Sequence, residues 1–332
     1  MKSGVTFMAG RRTVVFGGAL SGLLGTVAAW AQAPAWPSRP VRFVVAFPPG
    51  GLADVMARAL HPQLAEAFGQ PVVIDNRSGA AGNVAGAEVV RNGNDNHTFL
   101  ITVSTTESVN PTMFQRMPFD PSKDLLPVAL LANSQLFLIT KPTLQANTVR
   151  EFVDYARANP NTMSYGSAGV GTTPHLAGEL LKQSAGITAT HVAYRGAAPA
   201  IQDVMAGQID FAFAPGTVFP VAKAGKVKVL AVASALRSAS APEVTTFDEV
   251  GIRDVHADTL FGVYAPAGTS ASAIDRVNLE INRLLAQPAI KARFVEIGAE
   301  AIPLSPAEYK ARVQAEARLF AAIVKTRGIT AD

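Results

Sequence analysis

VRFVVAFPPGGLADVMAR, residues 41–58, decides the fold more than any other stretch of this chain. An apolar run from Val41 to Phe47 ends at two prolines and two glycines, and a helical pattern begins near Asp54. A strand, a glycine-rich turn and a helix in this order present backbone N–H groups at a helix N-terminus, where an anion can bind. The alternative is an ordinary tight turn in which Asp54 caps the helix. The stretch predicts an α/β protein whose first loop suits an anionic ligand.

The rest of the chain continues this alternation of short β-rich segments and longer amphipathic segments. Such an alternation is typical of an α/β architecture with mainly parallel sheets. The long apolar stretch at residues 125–140 indicates strands that leave one domain and enter another, and residues 261–266 indicate the returning strand. We therefore expect two domains, the first discontinuous: residues 32–139 with 262–332, and residues 140–261.

The N-terminus has the features of a secretory signal peptide at residues 1–31. Three basic residues are followed by an uncharged, mostly apolar segment that ends at Ala29-Trp30-Ala31, a cleavage-type sequence. A membrane anchor is the alternative, but the segment is of borderline length and contains four glycines. A pair of arginines leaves both Sec and twin-arginine export open. We expect cleavage near Ala31 and a location in the periplasm.

Composition argues against several classes of function. The chain has 29 basic and 25 acidic residues, and three of the basic ones lie in the signal segment, so 26 remain against 25. This balance gives no reason to expect a nucleic-acid partner. The absence of cysteine excludes disulfides, thiolate chemistry and cysteine-ligated metals. The five histidines are scattered without metal-binding spacing, so we expect no metal and no cofactor.

Several loops at predicted strand ends carry small residues and hydroxyls but no catalytic motif. The first loop has neither a Walker lysine nor a G-x-G-x-x-G sequence. Ser167 does not fit a nucleophile elbow, because Tyr165 occupies the first glycine position of that motif. His175 and Glu179 are one helical turn apart, a pair that is more often a polar contact than a metal site. We therefore expect a binding protein and not an enzyme.

The candidate ligand-binding residues come from the loops that follow predicted strands and from adjacent positions. They are Phe47, Pro49, Gly50, Gly51, Leu52, Asp54, Asn76, Ser104, Ser167, Ala168, Gly171, Thr172, His175, Tyr194 and Asp210.

Four longer motifs lie along the chain: PPGG-x-x-D-x-x-AR at 48–58, NR-x-GA-x-GN at 76–83, YGS-x-G-x-GT-x-x-HLAGE at 165–179 and H-V-x-Y-x-G-x-x-PA at 191–200. Taken together, these motifs resemble the Bug-type periplasmic solute-binding receptors of the tripartite tricarboxylate transporter family. The resemblance covers nearly the whole chain after the signal segment. Leu52 stands where family members commonly have a third glycine, so the pocket near this position is expected to differ.

The resemblance implies a two-domain, periplasmic-binding-protein-like (Venus flytrap) fold. Each domain would be a mostly parallel sheet flanked by helices, and one ligand would bind in the cleft between them. The implied ligand is a small carboxylate, such as an amino acid, a di- or tricarboxylate or an aromatic acid. Backbone amides and hydroxyls of residues 47–54 and 167–172 would hold it.

The resemblance also implies a partner for the loaded protein. That partner is a membrane permease of the same transporter family, and we expect the receptor itself to be a monomer. One alternative is a ligand-loaded sensor that signals to a histidine-kinase ectodomain. A second, less favoured alternative is an enzyme on a similar bilobed scaffold.

Overall fold

Strands and helices alternate along the chain in the computed structural model, which describes Met1 and residues 36–93 and 95–330. The predicted signal peptide lies outside the described residues apart from Met1. The strands are β1 (Val41–Val45), β2 (Val72–Asn76), β3 (Thr98–Val103), β4 (Leu125–Ser134), β5 (Phe137–Thr140), β6 (Ser164–Ser167), β7 (Thr190–Ala193), β8 (Phe211–Ala214), β9 (Lys228–Val232), β10 (Thr259–Pro266) and β11 (Ala299–Ala301).

The helices range from single turns to the long C-terminal helix. They are α1 (Leu52–Phe68), α2 (Asn83–Arg91), α3 (Thr105–Ser108), α4 (Asn110–Met113), α5 (Pro121–Asp124), α6 (Val149–Ala158), α7 (Thr173–Ala185), α8 (Ala197–Met205), α9 (Phe219–Lys223), α10 (Ala271–Leu285), α11 (Pro288–Glu296) and α12 (Pro306–Arg327).

The strands form two sheets. The first has six strands in the order β11-β4-β10-β3-β1-β2, and the second has five in the order β7-β6-β8-β5-β9. We call the elements of the first sheet lobe I (residues 36–134 and 259–330) and those of the second lobe II (residues 137–258). The α/β architecture with two sheets agrees with the expected two-domain fold. The predicted domain boundaries at 139/140 and 261/262 stay predictions; the strands change sheet between β4 and β5 and again before β10.

Both sheets are mixed, whereas the sequence pattern predicted mainly parallel ones. Each keeps a parallel core, β2-β1-β3 in lobe I and β7-β6-β8 in lobe II. Antiparallel pairs form at the crossings, where β10 pairs with β3 and β4 and β5 pairs with β8 and β9, and at one edge of the first sheet, where β11 pairs with β4. The chain leaves lobe I along β4 and returns along β10 beside it, so these two strands must run in opposite directions.

Each lobe has its own apolar core. Phe43 and Phe99 lie in the core of lobe I, and Phe152, Tyr165 and Phe211 lie in that of lobe II. A third apolar cluster combines residues of α4 and α12 with Leu176 of α7, so it joins the two lobes. From Trp36 onward the chain forms one compact unit. Among the helices of the described residues, none is long and apolar enough to cross a membrane.

Candidate functional site

Two adjoining cavities are bounded by loops from both lobes, and we call them the inner and the outer cavity. They share Phe47 and Ala168 in their walls. The free volume of the inner cavity, including space open to solvent, is about 580 Å³. The inner cavity is lined by Phe47, Pro48, Gly51, Leu52, Ala53, Val103, Leu136, Ala168, Thr172, Thr173, Pro174, Gly196, Ala197, Ala198, Pro199, Pro215, Thr259 and Phe261.

The outer cavity differs from the inner one in its charge. Arg195 in the wall of the outer cavity is charged, whereas no residue that lines the inner cavity is charged. The outer cavity is lined by Ala46, Phe47, Gly79, Ala80, Ala81, Gly82, Phe114, Ala168, Gly169, Val170, Ala193, Tyr194 and Arg195.

Three helix N-termini meet at the inner cavity. Residues of the first turn or the N-cap of α1, α7 and α8 all belong to its wall. The first N–H groups of a helix have no acceptor within the helix, and the aligned peptide dipoles place partial positive charge there. An anion in this cavity would therefore meet unpaired donors from both lobes, since α1 belongs to lobe I and α7 and α8 to lobe II.

These three helices also lack side-chain caps. Their N-cap residues are Gly51, Thr172 and Gly196, and none of them makes a capping hydrogen bond through a side chain. By contrast, α6, α10 and α12 are capped by the hydroxyls of Thr148, Ser270 and Ser305. Helix α2, whose preceding loop lines the outer cavity, is uncapped as well, and α11 is uncapped away from both cavities. No N-cap side chain thus takes up the first N–H groups of α1, α7 and α8, although Pro174 and Pro199 have no N–H and His175 N bonds to the Thr172 carbonyl at 2.9 Å.

The first loop is braced from behind by Asp54 and Asn76. The buried Asp54 carboxylate accepts hydrogen bonds from Gly50 N at 2.9 Å, Arg58 Nε at 2.9 Å and Asn76 Nδ2 at 3.1 Å. Asn76 Nδ2 also donates to the Phe47 carbonyl at 3.0 Å. Burial alone would raise the pKa of Asp54, but these three partners outweigh it and hold the pKa below its ordinary value. Asp54 is therefore ionised and is used in shaping the turn.

The second loop is braced by two histidines. Gly171 N donates to His175 Nδ1 at 3.0 Å, and Ser167 Oγ lies 2.7 Å from His191 Nε2. The two imidazole rings stack with centroids 3.8 Å apart and 7° between their planes. Burial lowers the pKa of His175 to about 4, and burial together with His175 lowers that of His191 to about 3. Both are neutral at pH 7, which agrees with Nδ1 of His175 acting as an acceptor.

Six of the fifteen predicted residues line a cavity: Phe47, Gly51, Leu52, Ala168, Thr172 and Tyr194. The others do not line either cavity. Asp54, Asn76, Ser167 and His175 support the loops as described, and Pro49, Gly50 and Gly171 lie in the loop turns. Direct contact of these residues with a ligand stays a prediction.

Ser104 and Asp210 make strong contacts away from the cavities. Ser104 Oγ donates to both carboxylate oxygens of Glu316, at 2.7 and 2.6 Å. Asp210 accepts from Ser164 N at 2.7 Å and pairs with Lys141 Nζ at 2.6 Å. Tyr194 lines the outer cavity through its ring, while its hydroxyl donates to Asp203 at 2.6 Å. The polar atoms of these side chains are thus committed to protein partners.

Sequence reasoning missed the part of the inner wall that lies near the crossings between lobes. Val103, Leu136, Pro215, Thr259 and Phe261 come from the ends of four strands, β3, β5, β8 and β10. Apart from Thr259 they are apolar, as residues of any buried strand are, so nothing in the local pattern marks them. The one available signal was the position of residues 125–140 and 261–266 at the predicted crossings, where a cleft between domains must have its base.

Nothing in the cavities suggests a resident metal. Within the described residues, no group of three or more histidine, aspartate or glutamate side chains is placed to hold a metal ion. The lining offers N–H and hydroxyl donors, which suit an anionic ligand and not a cation.

Comparison with known proteins agrees with this arrangement. The family model described as "Tripartite tricarboxylate transporter family receptor" matches residues 56–329. A protein in the tcbD-tcbE intergenic region of Pseudomonas sp. strain P51 is 36% identical over 291 residues, which cover 87% of this chain and 86% of that protein. Protein BugT of Bordetella pertussis is 30% identical over 305 residues, which cover 91% of this chain and 93% of that protein.

A solved structure extends the similarity to the fold. R. palustris Rpa4515 with adipate is 33% identical, has a TM-score of 0.86, and the match covers 89% of this chain and 99% of that one. The two-lobed fold expected from the sequence is therefore confirmed. The chain belongs to the tripartite tricarboxylate transporter receptor family, so it is a solute-binding receptor and not an enzyme.

Proposed function

We propose that this receptor binds one small carboxylate in the inner cavity, outside the cytoplasm, and delivers it to a membrane permease. The observation that carries the proposal is the meeting of three uncapped helix N-termini, from both lobes, at one cavity without charged lining residues. Charge-assisted hydrogen bonds from such N–H groups are stronger than neutral ones. A ligand bridging α1 with α7 and α8 would also hold the lobes together.

Two further findings support a carboxylate as the anion. The structural relative Rpa4515, which shares the fold, was solved with adipate, a carboxylate. A carboxylate has two oxygens with about four acceptor positions, which matches donors that arrive from several directions. The export signal predicted at residues 1–31 supports a periplasmic location, and family membership supports a permease partner. We propose a monomer whose two lobes close as domains on the ligand, with boundaries at 139/140 and 261/262.

The experiment is a thermal-shift and calorimetric titration of the purified protein with a panel of carboxylates and their uncharged alcohols. A carboxylate at about 100 times its Kd should stabilise the fold by about 2.7 kcal/mol. The matching alcohol should leave the melting temperature unchanged. If no carboxylate in a broad panel shifts the melting temperature, the proposal is wrong.

A pair of variants tests the role of the helix N-termini. Ala198 lies in the first turn of α8 and lines the inner cavity. Ala198→Asp places a negative charge there, which suits a helix N-terminus but repels an anionic ligand. We expect it to fold and to weaken carboxylate binding at least 100-fold. Ala198→Asn, of nearly the same shape without the charge, should lose much less affinity. Equal losses in both variants would contradict the electrostatic role.

A further inference from the structure

The inner cavity combines a polar end with an apolar remainder. The donors come from the starts of α1, α7 and α8, whereas the strand ends contribute Val103, Leu136 and Phe261. Phe47 and Leu52 add further apolar surface, and both are nine-tenths or more buried. Apart from Thr259, the side chains at these strand ends cannot hydrogen-bond, so the body of a bound ligand would lie against hydrocarbon.

None of the titratable side chains described near the inner cavity supplies a cation to its wall. Arg58 bonds to Asp54 and Asn76 and does not line the cavity. His175 and His191 bond to the second loop. Arg195 lines only the outer cavity, where it is exposed. A second carboxylate inside the inner cavity would therefore lose its water without gaining a cation, which is strongly unfavourable.

Two hydroxyls in the wall have no protein partner. Thr173 and Thr259 are 1% and 4% exposed, and their Oγ1 atoms form no hydrogen bond with the described residues. Both residues line the inner cavity, one at the start of α7 and the other at the start of β10. A buried hydroxyl without a partner destabilises a protein unless something else bonds to it. These two hydroxyls are therefore available to a ligand.

We propose that the inner cavity selects a monocarboxylate with an apolar body, aromatic or alkyl, whose carboxylate also accepts hydrogen bonds from Thr173 and Thr259. This rests on the proposed function, since it assumes that a carboxylate binds in this cavity. It goes further by excluding a second ionised group from the body of the ligand. The selectivity follows from the uncharged hydrocarbon wall and not from the helix N-termini, which would attract any carboxylate.

The test compares matched acids on the full protein, freed of co-purified ligand by unfolding and refolding. The pairs are hexanoate with adipate and benzoate with terephthalate, each measured by calorimetry at pH 7.5. We expect at least one monocarboxylate to bind ten or more times tighter than its diacid. If each diacid binds as tightly as its monoacid or tighter, this inference is overturned while the proposed function survives. If neither these four acids nor any other carboxylate binds, both this inference and the proposed function are wrong.

A matched pair of variants tests the hydroxyls. Thr259→Val removes one hydroxyl of the cavity at constant shape. Thr140→Val is the control, because Thr140 Oγ1 is also buried without a partner but lies outside both cavities. Neither variant should lower the melting temperature of the free protein. We expect Thr259→Val to weaken binding of the preferred monocarboxylate about tenfold and Thr140→Val to change it less than twofold. An unchanged Kd in Thr259→Val, or equal losses in both variants, would overturn the role of the hydroxyl.

Discussion

The two stacked histidines show how single residues support the site without lining it. His175 accepts the N–H of Gly171, and His191 contacts the hydroxyl of Ser167, so each holds one end of the second loop. Glu179 and Lys182 pair with each other beside them, and Tyr165 donates to the same carboxylate. Protonation of His175 at Nδ1 would remove the acceptor for Gly171 N, next to residues that line the inner cavity. His175 therefore holds the Gly171 N–H only while its imidazole is neutral.

The depressed pKa values of both histidines predict a loss of stability at acid pH. The unfolded chain takes up these protons near pH 6.5, the ordinary value for histidine, whereas the folded protein does so only at about 4 and about 3. As the pH falls from about 6.5 to 4, the free energy of unfolding should fall by about 1 kcal/mol per pH unit for each histidine. Above pH 7, these two histidines should no longer change the free energy of unfolding.

Urea unfolding at pH 7.5 and pH 5.0 measures this effect. His191→Gln keeps a donor for Ser167 but cannot titrate, so it should lose less stability between the two pH values than the wild type. Identical pH dependence in the two proteins would show that His191 is already charged in the folded state or is not buried.

The helices of this protein begin in one of two ways: some have a side-chain cap at the N-terminus, and others have none. Ser305 and Glu308 form a reciprocal capping box at the start of α12. The Thr148 hydroxyl caps α6 by accepting a hydrogen bond from Glu151 N. At the inner cavity the equivalent positions are glycines or an unbonded threonine. The long helices α6, α10 and α12, away from the cavities, are capped by their own side chains, whereas the helices at the inner cavity have no side-chain cap.

The capped helices should therefore be independent of ligand binding. Ser305→Ala and Thr148→Ala each remove a side-chain acceptor, which typically costs about 1 kcal/mol of stability. We expect chemical denaturation to report a loss of that size in each variant. Calorimetry should give an unchanged Kd for the carboxylate ligand, and a substantial change in Kd would place these helix ends in the binding process.

Across the whole molecule, the lobes approach each other at positions where only glycine fits. A Cβ on Gly216 of lobe II would lie 2.4 Å from the Cα of Gly298 in lobe I. A Cβ on Gly171 would lie 1.7 Å from Met113 Cε, and one on Gly196 would lie 2.9 Å from Pro48 Cδ. At these three positions the two lobes lie in direct contact, backbone against backbone or against a side chain.

Gly216→Ala should impair closure. The added methyl group would meet backbone atoms of Gly298 and Ile297, which cannot turn aside as a side chain can. We expect a larger radius of gyration in the presence of ligand by small-angle scattering and at least a tenfold weaker Kd. Gly225→Ala, in the same lobe, meets nothing within 4 Å and serves as the control, although its φ of +70° carries some strain. Wild-type affinity in Gly216→Ala would contradict the closed contact.

How much could be predicted from the sequence depended on the range of the interactions involved. Helices α6 and α12 begin at a hydroxyl cap that is followed three residues later by a glutamate, a signal that acts within a few positions of the chain. The loops after β1 and β6 were likewise recognised from their glycines and following helices. Their lining residues Phe47, Leu52, Ala168 and Thr172 were therefore among the predicted ones.

The sequence by itself determined the elements, the two-lobe architecture and the chemical character of the loops, since propensity, caps and turns are local properties. The tertiary structure alone decided which side chains share a wall. Phe261, Leu136 and Pro215 meet only because β10, β5 and the end of β8 cross near one point, and Ser104 and Asp210 turn away to Glu316 and Lys141. Strand order, and which side chains meet at the crossings, are set by the burial of whole faces over hundreds of residues, which no short pattern in the chain encodes.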